Sequence, residues 1–265
     1  MARVDVSASG GICLLTLNEP PANTYSYEMM RELDAAILDA RMDRSVHVIV
    51  ITGAGDKFFC AGATIGMLKD ADPDFKYYFC LHANETLSRF EQTPKLVIAA
   101  LNGHTVGGGL EVAMAADLRI ARKDAGKIGL PEVMLGVLPG TGGTQRLARL
   151  VGKARAIDLM VSGRLMSMDE AATIGLVSEV WDEAKLAGRP FLDAVLDYAR
   201  QFCPPHRASL AVGRIKRAVQ SGPEAGLGEG LAIERELQQL LFQSDDAKEG
   251  IAANLEKRKA KFTGS

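Results

Sequence analysis

The sequence predicts a mixed α/β body of about two hundred residues followed by a helical tail. Short β-branched apolar runs close on glycine or asparagine turns, helical patterns fall between those runs, and strand patterns vanish after Pro190.

The first strand candidate is Ile12-Cys13-Leu14-Leu15-Thr16-Leu17. A helix follows, because Ser26 can accept from the free N–H groups of a first turn, and Met29, Met30, Leu33, Ala36, Ile37 and Ala40 recur at helical spacing. Val46-His47-Val48-Ile49-Val50-Ile51-Thr52 is a second strand, closed by Gly53-Ala54-Gly55. Lys95-Leu96-Val97-Ile98-Ala99-Ala100-Leu101 is a third, closed by Asn102-Gly103. Runs this apolar suit buried strands. A triple glycine then opens a short Ala- and Met-rich helix from Gly108 to Ala116. Residues 145–162 carry two helical pieces divided at Gly152, and Ser167-Met168-Asp169-Glu170 is a capping box that starts another helix. From Phe191 to Phe262 the pattern is helical, broken at Pro204-Pro205 and Gly222-Pro223. The chain thus divides into an α/β core, residues 1–190, and a C-terminal helical region, residues 191–265. Amphipathic helices must bury their apolar stripe, and a subunit interface is a natural place.

Composition removes several classes of function. The 31 Lys+Arg and 33 Asp+Glu leave a net charge of −2, without the cationic excess that phosphate neutralisation requires, so nucleic acid is not an expected partner. No apolar run approaches the roughly 18 residues of a membrane span. The start, Met1-Ala2-Arg3-Val4-Asp5, lacks the apolar stretch of a signal peptide. Cys13, Cys60, Cys80 and Cys203 are far apart and form no Cys-x-x-Cys. That argues against a disulfide framework or zinc site and for a reducing compartment, most simply the cytoplasm.

The glycines invite a nucleotide-binding reading, which fails. Gly53-x-Gly55 and Gly140-x-Gly142 both lack the third glycine of a dinucleotide fingerprint, and Gly126-Lys127 and Gly152-Lys153 run into Ile128 and Ala154. No Gly-x-Ser-x-Gly elbow occurs. His47, His82, His104 and His206 are scattered and supply no metal-binding pair.

Three glycine-rich stations remain. The first is Phe58-Phe59-Cys60-Ala61-Gly62-Ala63-Thr64-Ile65; the second runs from Asn102 through Gly107-Gly108-Gly109-Leu110-Glu111. The third is Gly129-Leu130-Pro131-Glu132 with the following segment to Gly140-Thr141-Gly142-Gly143-Thr144-Gln145-Arg146. Small residues around Ala63 leave a peptide N–H unobstructed, and the first N–H groups of a helix opening at Gly108 lack intrahelical partners. Two such donors can grip one oxyanion, helped by the helix dipole. Glu111 sits one turn from Gly108, and Pro131 fixes the approach of Glu132. Each feature alone has a plainer explanation: tight packing, service to a helix dipole, an ordinary loop. Their occurrence together, in this order, is what points to two carboxylates beside an oxyanion hole.

The stations resemble those of the enoyl-CoA hydratase/isomerase (crotonase) superfamily. The resemblance runs from the Asn18-Glu19-Pro20 turn to Glu256-Lys257-Arg258-Lys259-Ala260-Lys261-Phe262 and is most specific between Asn102 and Arg146. It implies a crotonase-like spiral of β-β-α units, with C-terminal helices that build a homotrimer or a dimer of trimers. It implies an acyl-CoA thioester whose carbonyl is held by the N–H groups of Ala63 and Gly108. Glu111 and Glu132 match the two glutamates of the hydratases, and the N–H of Gly140 matches a position that helps hold the catalytic water. Keeping both acids implies a hydratase that adds water to a 2-enoyl-CoA and gives a 3-hydroxyacyl-CoA. Isomerisation, thioester hydrolysis and decarboxylation are other enolate chemistries of the scaffold, and a non-catalytic acyl-CoA-binding subunit would need neither glutamate. Ala61, Ala63, Thr64, Ile65 and Gly66, with Gly108, match positions that contact the CoA moiety. Lys257 matches a basic residue that reaches a neighbouring subunit's CoA site; its plainer explanation is a solvated helix face. No metal or redox cofactor is implied, and coenzyme A arrives as part of the substrate.

Some positions depart from the family pattern. Thr64 stands where members commonly carry an aspartate, and Gly66 where a basic residue is frequent. Cys60 abuts the first station, but no neighbouring histidine can activate it, so packing is expected. His104 is expected to bond locally. Phe75-Lys76-Tyr77-Tyr78-Phe79 is expected in the core, the rival reading being an aromatic that lines the acyl pocket.

Overall fold

The computed structural model describes residues 2–265, apart from the side chains of Leu68 and Asp70. The strands are β1 (Val4–Ser9), β2 (Ile12–Leu17), β3 (Val48–Gly53), β4 (Phe58–Cys60), β5 (Leu96–Leu101), β6 (His104–Val106), β7 (Leu118–Arg122), β8 (Ile128–Gly129) and β9 (Glu179–Trp181). The helices of the first two thirds are α1 (Tyr27–Met42), α2 (Ile65–Asp70), α3 (Pro73–Gln92), α4 (Gly108–Met114), α5 (Gly143–Val151) and α6 (Lys153–Ser162). Then come α7 (Met168–Thr173), α8 (Glu183–Leu186), α9 (Phe191–Arg200), α10 (Ser209–Ser221), α11 (Leu227–Phe242) and α12 (Asp245–Leu255).

Six strands form one sheet in the order β1-β2-β3-β5-β7-β9, parallel except for the β1–β2 hairpin. A smaller, all-parallel sheet has the order β4-β6-β8. In each of the pairs β3/β4, β5/β6 and β7/β8 the first strand joins the large sheet and the second joins the small one. Helices return the chain after each pair, which makes the β-β-α spiral.

The apolar runs are strands because both faces of the large sheet are covered. Along β3 and β5, Ile49, Ile51, Val97 and Ala99 enter the main core, which includes Met30, Leu33 and Ile37 of α1 and Leu87 of α3. The alternate residues Val48, Val50, Ile98 and Ala100 face Val195 and Ala199 of α9. Each Val, Leu, Ile or Met among these contributes about 1.5–3 kcal/mol on burial. Ser26 caps α1 by accepting from the Met29 N–H at 3.2 Å. Ser167 does the same for Glu170 at 3.1 Å.

Several elements differ from the sequence expectation. The strands of the small sheet are two or three residues long, too short to carry a period. The helix after the triple glycine ends at Met114 rather than Ala116. The aromatic run lies in α3, where Phe79 is buried but Tyr77 and Tyr78 are each 65% exposed. The terminal helix stops at Leu255. Residues beyond it fold back along the chain, with the N–H groups of Thr263 and Gly264 donating to Asp246 at 2.7 and 2.9 Å. Lys257 therefore stands past the helix, not on its face.

Asn102 ties β3 to β5 where both strands leave the large sheet. Its Oδ1 accepts from the Gly53 N–H at 3.2 Å, and its Nδ2 donates to the carbonyls of Gly53 and Gly55 at 2.8 and 2.7 Å. Gly103 lies so close to Lys57 that a Cβ would stand 2.3 Å from its carbonyl carbon. Asn102→Ala leaves buried peptide groups unpaired and is expected to lower stability by about 2–4 kcal/mol, measured by urea denaturation.

Candidate active site

β4, β6 and β8 run parallel and end at one edge of the small sheet, and each continues directly into a glycine station. Parallel α/β sheets present their ligand sites at that edge. The first two stations touch. The Tyr25 N–H donates to the Gly62 carbonyl at 2.9 Å, and the Thr64 N–H donates back to the Tyr25 carbonyl at 3.0 Å. Gly62 has φ +83°, and a Cβ there would stand 2.9 Å from the Gly108 nitrogen. The N–H groups of Ala63 and Gly108 donate to no backbone carbonyl among the described residues.

The second and third stations touch through Gly107. Its N–H donates to the Gly129 carbonyl at 2.9 Å. It has φ +58°, and a Cβ would stand 3.2 Å from Oε1 of Glu132. The Glu132 carboxyl thus lies against the turn that delivers Gly108.

Glu111 is in the first turn of α4, yet its side chain serves a different helix. α5 begins after Gly142, which offers no capping side chain. The Glu111 carboxylate fills that role: Oε1 accepts from the N–H groups of Thr141 and Gly143 at 2.8 and 2.7 Å, and Oε2 accepts from the Thr141 hydroxyl. A buried anion at a helix N-terminus is well matched to the free donors and the dipole there. Burial raises the Glu111 pKa above the ordinary value, while these donors pull it back.

Glu132 is in the opposite condition. Its Oε2 is buried without a hydrogen-bond partner among the described residues. Burial is the main cause that pushes its pKa up to about 7, with the Glu111 charge adding to the rise. One region therefore holds a carboxylate bonded by three donors and a second whose Oε2 has no partner among the described residues. The first is the easier to ionise and can accept a proton; the second favours the protonated form and can give one. The two unpaired N–H groups can take an oxygen that gains charge.

The structure brings Ala63, Gly108, Glu111 and Glu132 into this one region. Gly140 belongs to the same loop as Thr141, beside Cys80 of α3: a Cβ on Gly140 would stand 3.1 Å from its sulfur. Ala61 is tied through its N–H to the Ala22 carbonyl at 3.1 Å, and Thr64 directs its hydroxyl toward the Tyr25 carbonyl at 3.3 Å. Ile65 is 70% exposed, and Gly66 has open space where a Cβ would stand, so α2 starts on a free surface. Lys257 is exposed beyond α12, and no recorded hydrogen bond or ion pair joins it to these residues. Cys60 is fully buried, with a thiol pKa pushed up to about 12 by that burial, which makes it an inert packing group. His104 Nδ1 accepts from the Lys127 N–H at 3.0 Å. Sequence reasoning missed Tyr25, Thr141 and Gly143, which surround Glu111. Only the hydroxyl between glycines in Gly140-Thr141-Gly142-Gly143 hinted at it.

Fold and site together define the crotonase-like class. The family model for enoyl-CoA hydratase/isomerase matches residues 7–265. A probable enoyl-CoA hydratase of Rhizobium meliloti is 41% identical over 97% of this chain and 96% of its own length. A crotonyl-CoA hydratase of Syntrophomonas wolfei is 38% identical over 95% of this chain and 94% of its own. The crystal structure of an enoyl-CoA hydratase from Geobacillus kaustophilus superposes with a TM-score of 0.95, at 46% identity over 100% of this chain and 98% of that one. The chain belongs to the enoyl-CoA hydratase/isomerase family.

The state of Glu132 has a consequence for stability. Its folded pKa of about 7 lies above the ordinary 4.5, so between those values the unfolded chain releases the proton first. The contribution of Glu132 to stability is greatest below about 4.5, declines as pH rises, and levels off above about 7. Urea denaturation of the wild type and Glu132→Gln across this window is expected to show a steeper decline in the wild type, the difference being the Glu132 contribution.

Proposed function

We propose that this chain is an enoyl-CoA hydratase that adds water across the 2,3 double bond of a 2-enoyl-CoA and releases a 3-hydroxyacyl-CoA. The observation that carries this reading is the unequal treatment of the two glutamates beside two unpaired peptide donors. The hydratases among its relatives support it. The N–H groups of Ala63 and Gly108 receive the thioester oxygen and polarise the enoyl group, which makes Cβ electrophilic. Donors aimed at that oxygen are each worth about 3–4 kcal/mol in comparable sites.

Water, steadied by the N–H of Gly140, attacks Cβ and loses its proton to ionised Glu111. The electron pair of the double bond moves toward the thioester oxygen. Cα then takes a proton from Glu132, and the carbonyl re-forms. One turnover leaves the proton on Glu111 and the charge on Glu132, and its return resets the pair. Coenzyme A enters as the handle of the substrate, with Ala61, Thr64, Ile65 and Gly66 along its path, and the reaction calls for no separate cofactor.

The assembly is a homotrimer or a dimer of trimers. No residue of α11 is buried in the single chain, and Leu227, Phe242 and Leu255 are 80%, 60% and 78% exposed. Lys257 then serves a neighbouring subunit's CoA site. Four free thiols fit a reducing compartment such as the cytoplasm, and no described helix is long and apolar enough to cross a membrane.

With crotonyl-CoA as substrate, Glu111→Gln and Glu132→Gln are each expected to lower kcat by roughly two orders of magnitude or more while the oligomer persists. Loss of the conjugated-thioester absorbance and a product heavier by one water are the readouts. Near-wild-type turnover in either variant would remove the assigned role. The wild-type kcat/KM is expected to fall on the alkaline side as pH passes about 7, where Glu132 loses its proton, and on the acid side where Glu111 gains one.

A further inference from the structure

We propose that Tyr25 and Thr141 form a hydroxyl relay that positions the Glu111 carboxylate and ties it to the oxyanion donor at Gly108. The proposal rests on the assignment of Glu111 as the base. It adds two positioning residues, neither of which touches the reacting atoms.

The direction of the relay follows from donor and acceptor counting. Ionised Glu111 only accepts, so the Thr141 hydroxyl spends its proton on Oε2. The Tyr25 hydroxyl lies 3.2 Å from the Thr141 oxygen, which still has lone pairs to offer, and so Tyr25 is the donor there. The phenol has no other hydrogen-bond partner among the described residues. Burial, followed by the Glu111 charge, raises its pKa well above the ordinary value and keeps the proton in place. Each hydroxyl polarises the next, so Tyr25 strengthens the bond it does not itself make.

Tyr25 is held on every side. Its backbone brackets the Ala63 station through the bonds to Gly62 and Thr64, at 2.9 and 3.0 Å. Its ring packs on Phe79, with centroids 5.9 Å apart. Its hydroxyl presses on Gly108, where a Cβ would stand 2.0 Å from the phenolic oxygen. One side chain therefore contacts the first station through its backbone, the second through its ring edge and the third through its hydroxyl. A rotation of the ring displaces the oxyanion donor and the base together. A phenylalanine would fill the same volume, so the hydroxyl is explained by the relay and not by packing.

The groups that face Glu111 are Tyr25 from the segment before α1, Cys80 from α3, Glu132 from the turn after β8 and Arg146 from α5. Arg146 is already committed to Glu91 through two bonds of 2.8 Å. Removing a donor from an ionised carboxylate raises its pKa, so loss of the relay moves the acid limb of kcat/KM upward and leaves the Glu132 limb in place.

The test uses full-length Thr141→Val, Thr141→Ser, Tyr25→Phe and the Tyr25→Phe/Thr141→Val double variant, each checked by thermal melting and oligomer size. Thr141→Val is expected to lower kcat about tenfold, with KM within about twofold, and to shift the acid limb up by about one pH unit. Thr141→Ser restores both. Tyr25→Phe shifts the limb in the same direction by less, and in the double variant it adds nothing to Thr141→Val. The relay is overturned if both single variants keep the wild-type acid limb, if their effects simply add, or if Thr141→Ser is as impaired as Thr141→Val. Should Thr141→Val not fold, Tyr25→Phe against wild type decides alone by its acid limb. Glu111→Gln separates the two failures: an active Glu111→Gln removes the base assignment itself, whereas an inactive one beside unchanged Tyr25→Phe and Thr141→Val profiles removes only the relay.

Discussion

The parallel pairing of three very short strands is the constraint on which the site depends. Parallel neighbours end at the same edge, so β4, β6 and β8 deliver Ala61, Gly107 and Leu130 side by side although they lie far apart in the chain. These strands contribute little as a sheet. Their contacts hold because the large sheet fixes where each begins: β3, β5 and β7 are paired in register, and Asn102 clamps the exits of β3 and β5 with three hydrogen bonds. The stability of the apolar core is thereby transmitted to the peptide groups of Ala63 and Gly108 at its border.

Within that frame the two carboxylates are distinguished by hydrogen bonding and not by burial. Glu111 is more deeply enclosed than Glu132, since it is only 2% exposed. Burial alone would make it the weaker acid. Three donors oppose that effect and favour its ionised form: two peptide N–H groups at the start of α5 and the Thr141 hydroxyl. Glu132 has a buried Oε2 without a partner among the described residues, and its own backbone N–H is the main group that opposes the desolvation. The acid–base division is therefore written into the loop 140–143, not into either glutamate. This explains why Gly143 is a glycine: a Cβ there would stand 2.9 Å from Oε1 of Glu111.

What the sequence discloses follows the range of the interactions. The runs of β2, β3 and β5 are legible because burial on both faces demands continuous apolar residues, and the caps at Ser26 and Ser167 are local. The order of the glycine stations and the two glutamates was legible too, through their resemblance to a family. The strands of the small sheet were not, because two or three residues carry no period. The helical pattern runs on to Phe262, whereas α12 ends at Leu255: Lys257 takes a left-handed φ of +54°, which closes the helix, and Thr263 and Gly264 beyond it are held by Asp246. Tyr25 and Thr141 were invisible for a different reason. They are 116 positions apart, and nothing local to either marks a bond between them.

The acid in the first turn of α4 shows how a correct local rule can name the wrong partner. A glutamate near a helix N-terminus favours the dipole of that helix, and the sequence offers α4 for the role. In the fold, the free end of α4 is left open at Gly108, while Glu111 reaches across and caps α5. Had Glu111 folded back onto its own helix, it would have competed for the N–H groups that an incoming oxygen needs. Capping α5 therefore does two things at once. It satisfies a buried carboxylate, and it leaves the donors at the head of α4 unclaimed.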